Sequence, residues 1–426
     1  MRKIKSLIPQ NIKNIYHFGI AFFAVVKYGY PAKKLTVIGV TGTDGKTTTC
    51  TIIYHLLKAA GKKVALISTV AAYIGEEEID IGFHVTSPDP IDLQRLIKTI
   101  ADKGYDYLVL ETTSHGFDQH RLLGTNIKIG VLTNITHEHL DYHKTYDNYI
   151  KAKSKLFKKV EIAILNKDDK SFSNVRKFIS KDVKILEYST NTLTGQIKRA
   201  VQKRFVASYN QSNATAAILV ARHLGVDDNT LVKSISTFPG VIGRMQEIKN
   251  NKDIKIIVDF AHTPNGLESV LSALAKQKSK GTKLIAIFGC ASQRDDAKRP
   301  IMGEISTRLA DISMFTAEDP RYEDINKIIN EMAAGVKKNV AREVGVSDLA
   351  KLSKTNKRKH SFIRIPERGE AIYIVLNKIA KKGDTIVICG KGHEKSMSYF
   401  GVEYPWSDQK AVNLALNGMK YLIKHP

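Results

Sequence analysis

From residue 35 onward, short apolar runs alternate with longer stretches of helical character. Residues 35–40 (LTVIGV) are apolar and β-branched, the pattern of a strand buried on both faces of a parallel sheet. A glycine-bearing loop follows, then a predicted helix over 47–60 that Gly61 ends. Further strands are predicted at 64–68, 107–111, 129–134 and 162–165, joined by longer, partly helical connections. A second alternating series begins after Phe238-Pro239-Gly240. Its predicted strands are 254–260, 283–288, 312–316, 362–365 and 385–389, with helices at 267–275, 370–380 and 408–416. Strands that alternate with helices in this way predict α/β domains built on mostly parallel sheets. The predicted organisation is an N-terminal extension, 1–34, then two domains, 35–238 and 239–426. There is no internal repeat, and the basic stretch 351–360 reads as an exposed loop or helix end.

The extension carries an apolar run over 15–26, interrupted by His17 and Gly19 and closed by Lys27. It is shorter than the ~20 apolar residues a bilayer span needs, and it lacks the small-residue cleavage site of a signal peptide. Amphipathic packing on the first domain is the preferred placement. The alternative is a helix lying in a membrane interface, with Lys5, Lys13 and Lys27 toward the head groups.

Composition narrows the class. With 426 residues, 43% hydrophobic and 25% charged, the chain has the make-up of a folded multidomain protein, which excludes wholesale disorder. Its three cysteines form no close pair, which excludes a disulfide framework and a cysteine zinc site and fits a reducing, cytoplasmic setting. Sixty-six basic against 42 acidic residues leave a net charge of +24, which attracts anions such as nucleotides, phosphorylated sugars or an acidic membrane face. A lysine-rich proteome gives the same balance. The charge is spread along the chain and no aromatic-basic motif accompanies it, so no nucleic acid partner is expected.

Candidate chemistry starts at Gly42-Thr43-Asp44-Gly45-Lys46-Thr47-Thr48, between a predicted strand and a predicted helix. Glycines there let backbone N–H groups wrap a phosphate, and the helix N-terminus adds its partial positive charge. Lys46 would reach β- and γ-phosphates, and Thr47 would offer its hydroxyl to Mg²⁺. Glu111 closes a strand, followed by Thr112-Thr113-Ser114-His115, and Asn134 through Asp141 closes the next one. Ligands gather at the C-terminal ends of strands in open parallel sheets. His137 and His139 could suggest zinc, but the neighbouring oxygens and the phosphate loop favour Mg²⁺.

Taken in order, these motifs resemble the Mur ligase family, in the type that adds the third residue of the peptidoglycan stem peptide. The resemblance runs from about residue 35 to 416. It includes the phosphate loop, Thr86-Ser87-Pro88, Glu111 through Arg121, Asn134 through His143 and the segment from Tyr149 through Lys153 to Phe157. Further on come Asn166 through Asp169, Tyr209-Asn210 with Asn213, Gly243-Arg244-Met245 and Asp259 through Pro264. The last pieces are Gly289 through Asp295, Asp319-Pro320-Arg321 and Gly390 through Glu394.

The resemblance implies a central P-loop ATPase domain followed by a Rossmann-like α/β domain that binds the amino acid. It implies ATP contacts from Gly42 through Thr48, Asn134, Asn213, Arg244 and Asp259. Glu111 and His139, with Thr47, would hold Mg²⁺, joined by Lys153 if that lysine is carbamylated; Lys151 and Lys155 are its near neighbours, and only the spacing selects among them. Thr86, Ser87, Thr113, Gln119 and Arg121 would hold a muramoyl-dipeptide. Arg294, Asp319, Pro320, Arg321, Gly390 and Glu394 would hold the incoming amino acid. The implied reaction is an ATP-dependent amide ligation through an acyl phosphate, with Lys46, Glu111, His139, Lys153 and Arg244 as its machinery.

Three departures from the family pattern carry consequences. Only 41 residues precede Gly42, so the N-terminal domain that grips UDP in the family is expected to be missing. Glu318-Asp319-Pro320-Arg321 stands where diaminopimelate-adding members have Asp-Asn-Pro-Arg. Arg321 suits a distal carboxylate, and the extra negative charge of Asp319 would suit a distal ammonium; diaminopimelate, carrying both, is favoured over lysine. Ala291-Ser292-Gln293 replaces the usual glycine pair and aspartate before Arg294. The alternatives are a Mur-like ligase acting on a lipid-linked muropeptide or a folate-like γ-carboxylate acceptor, or a nucleotide-binding regulator without ligase activity. Peripheral contact with the inner membrane face is a further expectation of the N-terminal segment.

Overall fold

The computed structural model describes residues 10–79, 87–136, 138, 140–293, 295–353 and 360–424. The chain forms two compact units that divide between Pro239 and Gly240. The α/β class expected from the sequence is borne out, and every predicted strand is present with ends shifted by two residues at most.

In the first unit, helix α1 (Gln10–Lys27) leads to β1 (Thr36–Thr41), α2 (Lys46–Ala59) and β2 (Val64–Ile67). Two short strands follow, β3 (Ala72–Ile74) and β4 (Glu77–Ile79), then α3 (Pro90–Asp102), β5 (Tyr107–Glu111) and β6 (Ile127–Leu132). After helix α4 (Tyr146–Ser154) come β7 (Ile162–Asn166), β8 (Lys184–Tyr188) and α5 (Ser208–His223). The sheet order is β4-β3-β2-β5-β1-β6-β7-β8, parallel from β2 through β8, with β3 and β4 antiparallel at the edge. β1 lies at its centre between β5 and β6, which explains why Val37, Ile38 and Val40 are wholly buried. Leu93, Ile97 and Ile100 of α3 close one part of the core over Val37, Ala65 and Leu108. The sequence pattern missed β3 and β4 because three residues, two of them glutamates in β4, carry no readable period.

The second unit contains β9 (Gln246–Ile248), β10 (Lys255–Asp259), α6 (Pro264–Gln277), β11 (Leu284–Phe288), α7 (Lys298–Leu309) and β12 (Ile312–Phe315). It continues with β13 (Ala341–Glu343), β14 (His360–Arg364), α8 (Arg368–Ile374), β15 (Thr385–Cys389), a hairpin of β16 (Ser396–Tyr399) and β17 (Val402–Pro405), and α9 (Asp408–Leu416). Its sheet order is β13-β14-β12-β11-β15-β10-β9, parallel except for β9. The helix predicted at 370–380 starts two residues earlier and turns π-helical over Val375–Ile379. Its start is fixed by the Glu367 cap and by Arg368, wholly buried, which donates to both Asp408 oxygens at 2.7 and 2.8 Å and to the carbonyls of Ala317 and Cys389. Of the stretch predicted as an exposed basic loop, 354–359 lie outside the described residues.

Helix α1 packs on α3, but not as amphipathic burial would have it. The face turned inward is made of small residues, Ala21 and Ala24, with Val25 seated over Gly124; the large ones, Ile15, Phe22, Phe23 and Val26, face outward. The close approach of the small side chains explains the inversion, since Val25 would meet any Cβ on Gly124 at 2.5 Å. Among the described residues no helix is long and apolar enough to cross a membrane.

Candidate active site

The phosphate-loop sequence 42–48 joins the end of β1 to the start of α2, with Gly45 capping the helix in the left-handed region at φ +80°. Two glycines are required by crowding. A Cβ on Gly42 would lie 1.8 Å from Thr133 Oγ1, and one on Gly45 would lie 2.3 Å from Asn213 Oδ1. The loop is fastened from the end of β6. The Asp44 N–H donates to Asn134 Oδ1 at 3.0 Å, and Asn134 Nδ2 donates back to the Asp44 carbonyl at 3.1 Å. Thr133 Oγ1 donates to the same carbonyl at 2.6 Å, and the Thr43 N–H donates to the Asn134 carbonyl at 2.8 Å. Asn134 and Asn213 thus both stand against the loop itself.

Lys46, the first residue of α2, turns back so that its Nζ donates to the carbonyls of Gly42 and Thr43 at 3.1 and 2.7 Å. Behind it, the Thr47 hydroxyl donates to Glu111 at 3.1 and 3.0 Å from the two carboxylate oxygens. Thr48 is buried in the first turn of α2. Glu111, at the end of β5 and 1% exposed, also accepts from the Thr69 N–H at 2.9 Å and the Thr69 hydroxyl at 2.8 Å. Thr69 was not anticipated, although it too follows the C-terminal end of a parallel strand, β2.

Lys153 comes from α4, whose start is fixed by the Thr145 side chain capping Asn148 N. The lysine is 2% exposed and its Nζ donates to the Gly42 carbonyl at 2.6 Å, over the Tyr149 ring at 4.6 Å. Tyr149 in turn touches Thr43 Oγ1 through its hydroxyl at 3.3 Å. Burial, reinforced by the charge of Lys46, pushes the Lys153 pKa well below the ordinary lysine value, against the pull of Glu138, Asp44 and Glu111. Its neighbours differ: Lys151 is exposed, and Lys155 pairs with Asp118 at 3.2 Å. Glu138 is a second residue that sequence reasoning passed over; only its place in the segment after β6 could have signalled it.

His139 and Thr86, expected at the metal and the acceptor, lie outside the described residues, as does Arg294. The remaining acceptor candidates form one linked set. Ser87 and Thr113 share a hydroxyl contact at 3.1 Å, Arg121 donates to the Ser87 carbonyl at 3.0 Å, and Arg121 Nε donates to Gln119 Oε1 at 2.9 Å. Among the described residues no group of three or more His, Cys, Asp or Glu side chains is placed to hold a metal. The oxygens present, Thr47 and both of Glu111, are nonetheless the hard donors that Mg²⁺ prefers.

In the second unit, Arg244 lays its guanidinium 4.1 Å from the centre of the Phe260 ring. Asp259, at the end of β10, accepts from the Met245 N–H at 2.6 Å and from the Ala261 N–H at 2.8 Å, so its carboxylate holds the Arg244 loop in place. The amino-acid motif is strained: Asp319 and Arg321, either side of the buried Pro320, have φ of +44° and +52°. Hairpin β16–β17 imposes this geometry, because the Arg321 N–H donates to the Ser398 carbonyl and the Ser398 N–H donates to Asp319 Oδ1, both at 2.9 Å.

Asp319, expected to suit a distal ammonium, already has a cationic neighbour within the chain. It is 5% exposed, and its carboxylate is engaged by Lys391 Nζ at 2.8 Å, a wholly buried ammonium that also pairs with Glu394. Burial alone would lower the Lys391 pKa, but Glu394 and Asp319 hold it above the ordinary value. Glu318 lies beside this group, against Gly390, where a Cβ would meet Glu318 Oε2 at 2.0 Å. Burial raises the Glu318 pKa to about 7 despite nearby Lys298 and His262, and its Oε2 has no hydrogen-bond partner.

Comparison with known proteins places this geometry. The Mur ligase middle domain matches residues 40–221, and the Mur ligase glutamate ligase domain matches 243–392. The chain is 34% identical to the UDP-N-acetylmuramoyl-L-alanyl-D-glutamate–2,6-diaminopimelate ligase of Bacteroides thetaiotaomicron, over 92% of this chain and 81% of that protein. It is 36% identical to the enzyme of the same name from Alkaliphilus metalliredigens, over 86% of this chain and 74% of the other. A solved structure of a ligase of that name aligns with a TM-score of 0.58 at 30% identity, covering 90% of this chain and 78% of that one. E. coli FolC in complex with ADP aligns with a TM-score of 0.65 at 16% identity, covering 88% and 91%, a likeness of fold alone. The chain belongs to the Mur ligase family.

Proposed function

We propose that the protein is an ATP-dependent amide ligase of peptidoglycan precursor synthesis that adds meso-diaminopimelate to a muramoyl-dipeptide. The observation that carries this reading is the convergence of Lys46, Lys153 and the Thr47–Glu111 pair on one phosphate-binding loop. The names of the relatives supply the substrates, and the relatives align over most of their length.

In this proposal the loop 42–48 and Asn134 cradle the ATP phosphates, with Asn213, Arg244 and Asp259 as the further nucleotide residues. Thr47, Glu111 and His139 would hold Mg²⁺, which when bound neutralises phosphate charge. Lys153, whose pKa burial lowers, would in its neutral form add to CO₂ through its lone pair and lose one proton, and the carbamate so formed would supply further oxygen donors for the ion. The acceptor's terminal carboxylate oxygen takes the γ-phosphoryl group, giving an acyl phosphate and ADP. The neutral amine of diaminopimelate then attacks the acyl carbon, phosphate leaves and the amine proton is lost. Ser87, Thr113, Gln119 and Arg121, with Thr86, position the acceptor, while Arg294, Asp319, Pro320, Arg321, Gly390 and Glu394 line the amino-acid site. Positioning and charge neutralisation carry the rate, and no protein nucleophile is needed.

The reaction is placed in the cytoplasm, where ATP and reduced thiols coexist, with peripheral contact to an anionic membrane face as its finer localisation. The test is the mass of the product formed from ATP, the muramoyl-dipeptide acceptor and an equal mixture of diaminopimelate and L-lysine. Amino-acid-dependent phosphate release with the diaminopimelate adduct is expected; ATP binding without turnover would overturn the proposal.

A further inference from the structure

Helix α1 buries its small face and exposes its large one, the reverse of an amphipathic helix on a soluble domain. Ile15 is 72% exposed, Phe22 51% and Val26 50%, with Tyr16 at 68% and Phe23 at 58%. At 3.6 residues per turn, Ile15, Phe22 and Val26 fall within about 40° of one another on the helix wheel, and Tyr16 and Phe23 form one shoulder of the same stripe. Singly exposed apolar residues are ordinary, but a contiguous aromatic and aliphatic stripe marks a surface made to be covered.

Charge selects the cover. The first 43 residues contain no acidic side chain, while Lys13 and Lys27 bracket the stripe along the chain and Lys33 and Lys34 follow the helix. Docking a second copy on this face would bring two such cationic segments together in a protein that already carries +24. An anionic lipid surface attracts them instead. Lys13 and Lys27 sit at opposite ends of the stripe, about 21 Å apart along a helix rising 1.5 Å per residue, as in a helix lying flat in the head-group layer.

We propose that the outer face of α1 inserts into the boundary between head groups and acyl chains of an anionic membrane, with its lysines on the lipid phosphates. This deepens the peripheral contact proposed above by assigning it to one face, and it does not depend on which amino acid the enzyme adds.

The experiment is co-sedimentation of the full-length protein with vesicles of phosphatidylcholine alone or mixed with phosphatidylglycerol, at low and high salt. The native chain should bind the mixed vesicles and not the neutral ones, and added salt should weaken the binding. The triple variant Ile15→Ser/Phe22→Ser/Val26→Ser should bind at least tenfold more weakly, with unchanged ligase activity on a soluble acceptor. Because the only native tryptophan, Trp406, is buried, the emission of a Phe22→Trp variant reports insertion directly and should shift to the blue with mixed vesicles. Equal binding of native and triple variant, released by salt, would leave a purely electrostatic contact and overturn the insertion of this face. No binding to mixed vesicles would overturn the membrane contact altogether, as would a native dimer that the triple variant dissociates. Neither result would touch the ligase activity, which is measured separately.

Discussion

Lys46 and Lys153 place their side-chain nitrogens on a single acceptor, the carbonyl oxygen of Gly42, at 3.1 and 2.6 Å. Two ammonium groups on one oxygen would repel strongly. For Lys153, which is 2% exposed, burial and the charge of Lys46 together push the pKa well below the ordinary lysine value. A neutral amine beside a phosphate loop is nucleophilic toward CO₂ at a pH where an ordinary lysine is not.

Lys153→Ala should therefore lower kcat by a factor of about 10² or more, as the loss of one pre-organised charge does. A small carboxylate such as acetate should restore part of the rate, and ¹³C-bicarbonate should give a carbamate resonance in the native protein that the variant lacks. Lys151→Ala and Lys155→Ala should be mild. In CO₂-free buffer the unfolded chain binds the proton that folded Lys153 refuses. The stability of the native protein should then rise with pH toward the unfolded lysine value of ~10.4, a slope that Lys153→Met removes.

Lys46→Ala should abolish turnover, again by about 10² or more, because nothing else in the described part of the loop carries positive charge to the β- and γ-phosphates. Its melting temperature should stay within a few degrees of native, since Lys46 bonds only to carbonyls of its own loop. A folded variant with near-native rate would remove the phosphate loop from the mechanism.

The sequence spoke clearly where one local pattern served one purpose. β1 reads as a buried parallel strand because both its faces are covered, and Gly45 reads as part of a phosphate loop because strand, turn and helix adjoin in the chain. Thr69 stayed silent because it reaches the site by tertiary folding and sits in no spaced motif, and Glu138 because the histidines on either side of it, His137 and His139, are the stronger metal signal in that segment. The setting of Asp319 was hidden for a related reason. Its partner Lys391 lies 72 residues away, so nothing nearby in the chain showed that it was paired. The composition of α1 was legible, but which face it would bury was not, since Gly124 decides that from a distant turn.

Glu318 predicts a pH dependence of stability. Its folded pKa of about 7 exceeds the unfolded carboxylate value, mainly through burial. Between the two values the folded state holds a proton that the unfolded state has lost, so stability falls as pH rises from about 4.5 to 7 and then levels off. The full change is on the order of 3 kcal/mol, at about 1.36 kcal/mol for each pH unit between the two values. Thermal unfolding of Glu318→Gln against native across pH 5 to 8 should show the variant gaining up to about pH 7 and holding level above it. Parallel curves would mean that Glu318 is ionised in the folded protein at all these values.

Lys391 is the keystone of the amino-acid motif. Removing it leaves Asp319 and Glu394 close together with no buried cation between them, which costs about 3–5 kcal/mol when one partner of a buried pair is lost. Lys391→Met should unfold at correspondingly lower denaturant, and Lys391→Met/Asp319→Asn should recover part of the loss by removing one uncompensated charge. If the double variant is no better than the single, Asp319 is not the group that Lys391 neutralises.

In the proposed function Arg321 would select the amino acid. Asp319 already pairs with Lys391, so the distal carboxylate of the substrate would be the group that Arg321 reads, since a guanidinium fork pairs with it bidentately. The backbone of Arg321 is held on both sides by the β16–β17 hairpin, its N–H on the Ser398 carbonyl and its carbonyl on the Phe400 N–H. The side chain is thus presented from a rigid, left-handed position, φ +52°, that nearby substitutions should not shift. Arg321→Ala should lower kcat/KM for diaminopimelate by roughly 10- to 100-fold, the 1.5–3 kcal/mol of a charged hydrogen-bonded pair. L-Lysine, which has no distal carboxylate, should be used as poorly by the variant as by the native enzyme. Arg321→Lys should recover little, because an ammonium offers no fork. A variant that loses both amino acids equally would move the role of Arg321 from specificity to the architecture of the loop.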